Sequence, residues 1–431
     1  MTKVIEIAKN AKEASISALQ LSSEIKKQAL NNIVNELIEN KEQIIAANNN
    51  DLQKARVMLD NGSITESVYN RLKLDENKLR EMFQGIKDTS NLPDCINKVM
   101  WEKNIAEGIK LQKVICPIGV IGVIFEARPD VISQISSLAI KSSNALILKG
   151  GSEAVETNTT IYKIINSALL KTASFPKNMI NLIFSREEVK EMLNADNYVD
   201  LIIPRGSNSL VKYIKSNTRI PVLCHSDGVC HIYADEFADI NKAINVIIDA
   251  KCQYPAACNS VETVLIQKNI KDKLLPSLIY TLKNNNVVIN SDEIIKKEYP
   301  DYINSIVENW HKEYGGKIIS LKIVNSIDEA ILHINTYGSE HTDCIISENE
   351  ANYEKFMMLV DSSGVYRNIS TRFADGYRYG FGAEVGISTS KIHARGPAGL
   401  ESLTIYKYRL YGNGDIVEDF TNGKRKFIKQ Y

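Results

Sequence analysis

The stretch PIGVIGVIFEARPDV, residues 117–131, contains the short apolar run Val120–Phe125 closed by a turn at Pro129. A run of that length bounded by a turn signal is what a buried strand looks like. Six more such runs follow: Ala145–Leu148, Met179–Phe184, Val199–Ile203, His231–Ala234, Thr263–Ile266 and Cys344–Ile346, each trailed by a turn signal and a more polar stretch. Strands alternating with helical stretches indicate βαβ units on a largely parallel sheet, an α/β fold. Upstream the texture is helical: Ile25, Ala29/Leu30, Ile33/Val34, Leu37/Ile38 and Ile44/Ile45 recur at mostly helical spacing between Ser22 and Asn50. The polar cluster Asn48-Asn49-Asn50-Asp51 is expected to end that helix. No internal repeat or low-complexity linker interrupts the chain.

At 431 residues the chain should form two or three domains. Lys+Arg and Asp+Glu balance at 52 each, so no charge excess recommends nucleic acid or anionic lipid as a main partner. The start, MTKVIEIAKNAKEAS, has neither the apolar stretch of a secretory signal nor that of a membrane span, and a cytoplasmic location is expected. Seven scattered cysteines, an odd number, argue for reduced thiols.

One of those thiols stands out by position. A helix with Ile240, Ala243/Ile244 and Ile247/Ile248 on one face should stop before Pro255, which places Cys258 in a helix-to-strand connection. Irregular backbone there can present a side chain and free N–H groups to an oxyanion. The nearby helix C-terminus is the negative end of its dipole and disfavours a thiolate, so activation has to come from elsewhere. Among Ala256, Ala257 and Val261, such a cysteine is by itself more often a small buried hydrophobe. Cys252, still on the helix, keeps that reading. The pairs Cys224-His225 and Cys230-His231 suggest zinc ligands, but adjacent strand residues point to opposite faces, and no metal is expected.

The blocks PIGVIGVIFEARPDV (117–131), NALILKGGSEA (144–154), DLIIPRGSNSLV (200–211), RIPVLCHSDGVCHIYAD (219–235), CNSVET (258–263) and STRFADGYRYGFGAEVGISTSKIHARGPAGLESLTIYKY (370–408) occur in one order. Together they resemble the aldehyde dehydrogenase superfamily and, within it, the gamma-glutamyl phosphate reductase family, over nearly the whole chain. The resemblance implies a Rossmann-type NADP-binding domain over 1–227 and a catalytic α/β domain over 228–363. It implies C-terminal segments, 364–431, that return to the cofactor domain. A β oligomerisation arm is implied from a ribbon at about 99–116 and the tail after Leu403, with a dimer or tetramer as the assembly. The implied reaction is NADPH-dependent reduction of L-glutamate 5-phosphate to L-glutamate 5-semialdehyde and phosphate through a Cys258 thioester, the second step of proline biosynthesis. A separate glutamate 5-kinase is expected as functional partner, since no kinase segment precedes residue 1. The alternatives are a CoA-acylating aldehyde dehydrogenase and an inactive scaffold of the same fold.

The same resemblance assigns further residues. Lys149 matches the lysine at the adenosine ribose, and Ser152 stands where NAD-preferring relatives often carry an acid, which favours NADP. Gly206-Ser207 matches the turn that opens a helix against the cofactor, and Glu313 the Glu of the nicotinamide ribose. Arg128 falls at or near the position of the family's oxyanion Asn; its alternative is a structural pair with Glu126 or Asp130. Asn259, beside the nucleophile, is a further candidate for substrate or oxyanion. Arg372, Lys391, His393 and Arg395 are candidates for the substrate's carboxylate. His225 replaces the general-base Glu of hydrolytic relatives; lacking that water-activating carboxylate suits an enzyme that protects its thioester.

Overall fold

The computed structural model describes residues 2–224 and 227–428. They fall into two compact units, Met1–Leu223 with Gly382–Val385 and Ala398–Tyr431, and Cys224–Phe381 with Gly386–Pro397.

The first unit is built on a four-stranded parallel sheet in the order Ile180–Leu182, Ala145–Lys149, Val120–Phe125, Leu201–Arg205. Counted along the chain that order is third, second, first, fourth, the half-sheet of a doubly wound nucleotide-binding fold. All six residues of Val120–Phe125 are buried, as a strand flanked by neighbours and covered on both faces requires. Helices Lys3–Ser17, Ser23–Glu39, Lys41–Asp60 and Glu76–Asn91 lead into this sheet. The Asn48–Asp51 cluster does not end a helix; it lies inside Lys41–Asp60. These side chains are polar because they tie elements together. Asn48 donates to the Leu72 carbonyl and accepts from Leu74 N–H, and Asp51 accepts from the Thr157 N–H and hydroxyl. A separate antiparallel sheet joins Val99–Ala106, Ile109–Pro117 and Thr404–Tyr411, at the ribbon and tail expected from the sequence.

The second unit holds a seven-stranded sheet in the order Ser305–Ile306, Val288–Ser291, Ile318–Val324, Val261–Gln267, Cys230–Ala234, Thr342–Ile346, Gly364–Arg367, every adjacent pair parallel. Ile232, Val264, Leu321 and Ile346 pack into one apolar cluster; Tyr233, Leu265, Val324, Ile345 and Phe356 pack into another. The period-two alternation along Cys230–Ala234 and Val261–Gln267 separates these sets. The structure moves the expected domain boundaries. The break falls at 223/224, and Gly364–Arg367 stays in this unit as a seventh strand beside Thr342–Ile346, so the return to the first unit begins at Gly382. Among the described residues no helix is long and apolar enough to cross a membrane.

Candidate active site

Helix Ile240–Cys252 starts on an Asp239 side chain that accepts the Lys242 N–H at 2.8 Å, and it ends three residues before Pro255. The connection to Val261–Gln267 is held from several sides. Ala257 N–H donates to the Tyr254 carbonyl, Ser260 N–H to the Ala257 carbonyl, and Ser260 Oγ to the Ala250 carbonyl. Asn259 is buried, and its Nδ2 donates to the Ala374 carbonyl at 2.8 Å. The Cys230 thiol donates to the Cys258 carbonyl at 3.4 Å. Gly228 closes the packing: a Cβ there would meet the Cys258 carbonyl oxygen at 2.1 Å, so the backbone approach requires glycine.

Cys258 is half-buried, and its Sγ lies 3.2 Å from Nε2 of His341. His341 is fully buried, and its Nδ1 lies 2.9 Å from Thr342 Oγ1. With Nδ1–H donated to that hydroxyl, Nε2 carries the lone pair that takes the thiol proton. Among the described residues this imidazole is placed where a base for the Cys258 thiol would stand. The contact follows from strand order. Cys258 immediately precedes Val261–Gln267 and His341 immediately precedes Thr342–Ile346, the two neighbours of Cys230–Ala234. Two strand spacings are about 10 Å, a gap two side chains can bridge. Nothing local in the sequence marks His341; its one signal is its place three residues before the apolar run Cys344–Ile346.

The register of Cys230–Ala234 against Val261–Gln267 is irregular between Cys230 and His231. The ring and backbone N–H of His231 both engage Asp343 Oδ1, at 3.1 and 2.6 Å, which fixes the central strand against Thr342–Ile346. Among the described residues no group of three or more His, Cys, Asp or Glu is arranged to hold a metal ion.

The arginines expected to hold substrate separate by environment. Arg395 pairs with Asp361 at 2.9 Å and Glu340 at 3.6 Å, and Lys391 also binds Asp361, whose carboxyl those cations hold below the usual range. Arg372 is buried at 8% exposure; its Nε donates to Gln253 Oε1 at 2.9 Å, and its guanidinium lies 5.7 Å from the Tyr254 ring centroid. Burial lowers its pKa, Arg378 adds to that, and the nearby Cys258 thiol opposes it. Arg372 is thus a buried cation held by Gln253, the residue that follows the helix leading to the nucleophile loop. His225 lies outside the described residues.

In the first unit Lys149 ends the strand Ala145–Lys149; burial lowers its amine pKa and Glu153 opposes the shift. Ser152 is exposed. Helix Asn208–Ser216 begins at the exposed Gly206-Ser207, with the Ser207 hydroxyl accepting Leu210 N–H at 3.4 Å. Glu126 does not pair with Arg128; its carboxylate accepts the Ser207 N–H at 2.8 Å, and among the described residues Arg128 makes no ion pair. Glu153 accepts the N–H of Ala127, which sits at φ 47°, at 2.6 Å. Both carboxylates thus fix the Phe125–Pro129 turn against the two loops. A half-buried cation and an exposed hydroxyl suit the adenosine end of a dinucleotide, while the Ser207 N–H at the start of Asn208–Ser216 is taken by the Glu126 carboxylate. In the second unit Glu313 is half-buried in the segment before Ile318–Val324.

Comparison with known proteins gives the family. Residues 1–294 match the model of the aldehyde dehydrogenase family. A gamma-glutamyl phosphate reductase of Brachyspira hyodysenteriae is 56% identical over 99% of this chain and 98% of its own length. One from Acetivibrio thermocellus is 49% identical over 98% and 97%. The crystal structure of the gamma-glutamyl phosphate reductase of Thermotoga maritima superposes with a TM-score of 0.92 at 37% identity, covering 96% of this chain and all of that one. An acetylating aldehyde dehydrogenase of Geobacillus thermoglucosidasius shares the fold at 17% identity, with a TM-score of 0.64 over 96% and 97% of the two chains.

Proposed function

Because the chain belongs to the aldehyde dehydrogenase family, and within it to the gamma-glutamyl phosphate reductases, we propose that it reduces L-glutamate 5-phosphate to L-glutamate 5-semialdehyde and phosphate through a thioester on Cys258. The observation that carries this reading is the 3.2 Å contact between Cys258 Sγ and His341 Nε2. The imidazole takes the thiol proton as the sulfur attacks the acyl carbon; the C–O bond to phosphate breaks and phosphate leaves. A nicotinamide cofactor, which Lys149, Ser152 and the Gly206-Ser207 turn would hold at its adenosine end and Glu313 at its nicotinamide ribose, would supply the hydride that reduces the thioester. Collapse of the resulting hemithioacetal breaks the C–S bond, and His341 returns its proton to the sulfur.

NADPH is the form favoured, since Ser152 presents a hydroxyl where an acid would repel a 2′-phosphate, with Lys149 close by. Arg128 and Asn259 are assigned to the reacting carbonyl and phosphate. Arg372 is assigned to the substrate's carboxylate, with Arg395 committed to Asp361 and Glu340. Arg372→Ala should raise KM for glutamate semialdehyde roughly 10- to 100-fold and change kcat much less, the mark of lost ground-state binding by a charge-assisted contact. A kcat that collapses at unchanged KM would move Arg372 to the reacting centre.

Homo-oligomerisation through the three-stranded arm is supported by its exposed apolar residues Met100, Trp101, Tyr408 and Leu410, which a second copy would cover. The function is tested in the oxidative direction with glutamate semialdehyde and phosphate. NADP⁺ should be reduced faster than NAD⁺, with an absolute dependence on phosphate and none on CoA. Turnover that requires CoA instead would overturn the assignment.

A further inference from the structure

A buried Lys–Glu pair flanks the nucleophile loop in sequence. Lys251, on the last turn of helix Ile240–Cys252, and Glu262, on strand Val261–Gln267, bracket that loop in sequence; they pair at 3.0 Å with side-chain exposures of 0% and 1%. Both reach the same third segment. Lys251 Nζ donates to the Gly316 carbonyl at 3.2 Å, and Glu262 Oε1 accepts the Gly315 N–H at 3.4 Å. Gly315 and Gly316 directly follow Glu313 and Tyr314. The Tyr314 hydroxyl in turn meets Ser320 Oγ at 2.9 Å, so the segment is anchored on both sides of its turn. Gly315 has φ 61°, a conformation that leaves its N–H directed at a carboxylate without steric cost.

Replacing a buried ion pair by apolar groups is often neutral or stabilising, so stability alone is a poor reason for two full charges here. Their shared partner is the backbone next to Glu313. We propose that Lys251 and Glu262 are positioning residues for the cofactor: they clamp the Gly315–Gly316 turn so that the Glu313 carboxylate is held for the nicotinamide ribose. The clamp rests on the reading of Glu313 as that ribose ligand. It joins the ends of the nucleophile loop to the cofactor segment through one buried pair, within a single unit.

The state of the pair is pH-sensitive. Burial pushes the Glu262 carboxyl up to about 7, Lys251 pulls it down, and the Glu313 charge adds to the rise. Burial lowers the Lys251 pKa in turn, opposed by Glu262 and by the Cys230 and Cys252 thiols, so as pH falls Glu262 takes a proton and Lys251 is left without its partner anion. KM for NADPH should therefore climb below about pH 7 in the parent enzyme.

The test compares Glu262→Gln and Glu313→Gln with the parent. Loss of a charge-assisted contact predicts roughly a tenfold rise in KM for NADPH in Glu262→Gln, with kcat at saturating NADPH within about twofold. Cofactor-free alkylation of Cys258 by iodoacetamide should be unchanged, and the pH dependence of KM around neutrality should vanish. A merely structural pair would lower Tm and leave KM for NADPH and its pH profile as they are, which overturns the clamp. Should Glu313→Gln raise KM while Glu262→Gln does not, the clamp alone fails. If neither variant raises it, the ribose reading of Glu313 fails and takes the clamp with it. Where the single variant does not fold, Lys251→Met with Glu262→Met removes both buried charges and carries the same KM measurement.

Discussion

Cys258→Ala should abolish reduction of the acyl phosphate, by at least about 10⁴-fold in kcat, while the protein remains folded. The expectation rests on covalency: a methyl group cannot take the acyl group from phosphate, so neither thioester nor hydride acceptor forms. Cys258 is half-buried, and its loop is also held by the Cys258 carbonyl, which accepts from the Cys230 thiol, and by the Asn259 side chain, so the loop should keep its shape when the sulfur contact with His341 is lost. The check is a paired measurement of NADPH oxidation and thermal unfolding. The parent should also incorporate one acyl group per chain when glutamyl phosphate is supplied without cofactor. A variant that still turns over at near-parental rate would sink the covalent mechanism.

His341→Ala should lower kcat by about 10²- to 10³-fold, the scale of one general base. A solvation or packing role would show mainly in stability, so the discriminating readout is the pH profile of iodoacetamide alkylation. Without Nε2 at the sulfur, alkylation of Cys258 should shift to higher pH and be slower near neutrality. His341→Gln, which keeps bulk and hydrogen bonding but cannot accept and return a proton, should behave like the alanine variant. Thr342→Val, which removes the partner of Nδ1 but leaves the ring, should have a smaller effect in the same direction. Unaltered alkylation in all three would assign Cys258 another activator.

Seven strands, four in the first unit's parallel sheet and three in the second's, were legible because their central positions are buried on both faces and hence continuously apolar. Strands that carry Asn, Ser, Lys or Arg at half-buried or exposed positions, such as Val288–Ser291 and Gly364–Arg367, leave no such run. The Asn48–Asp51 cluster misled for a related reason: its polarity serves contacts with residues 72, 74 and 157, which no local window contains. Cys258 could be placed on its loop from a helix face and Pro255. Its imidazole could not, because the partners are 83 positions apart and meet through strand order. The buried pair Lys251–Glu262 was equally hidden, since a Lys near a helix end and a Glu opening a strand are ordinarily solvated.

That strand order also sets when the enzyme becomes active as it folds. Cys258 and His341 come together only once Cys230–Ala234 has paired with both Val261–Gln267 and Thr342–Ile346, and parallel pairings across crossovers are among the slowest contacts for a chain to close. Helices and local turns can be complete while the thiol is still an unassisted one. On the ribosome the nucleophile emerges well before its base, so the nascent chain carries an unassisted cysteine until the strand Thr342–Ile346, which follows His341, has been made and paired.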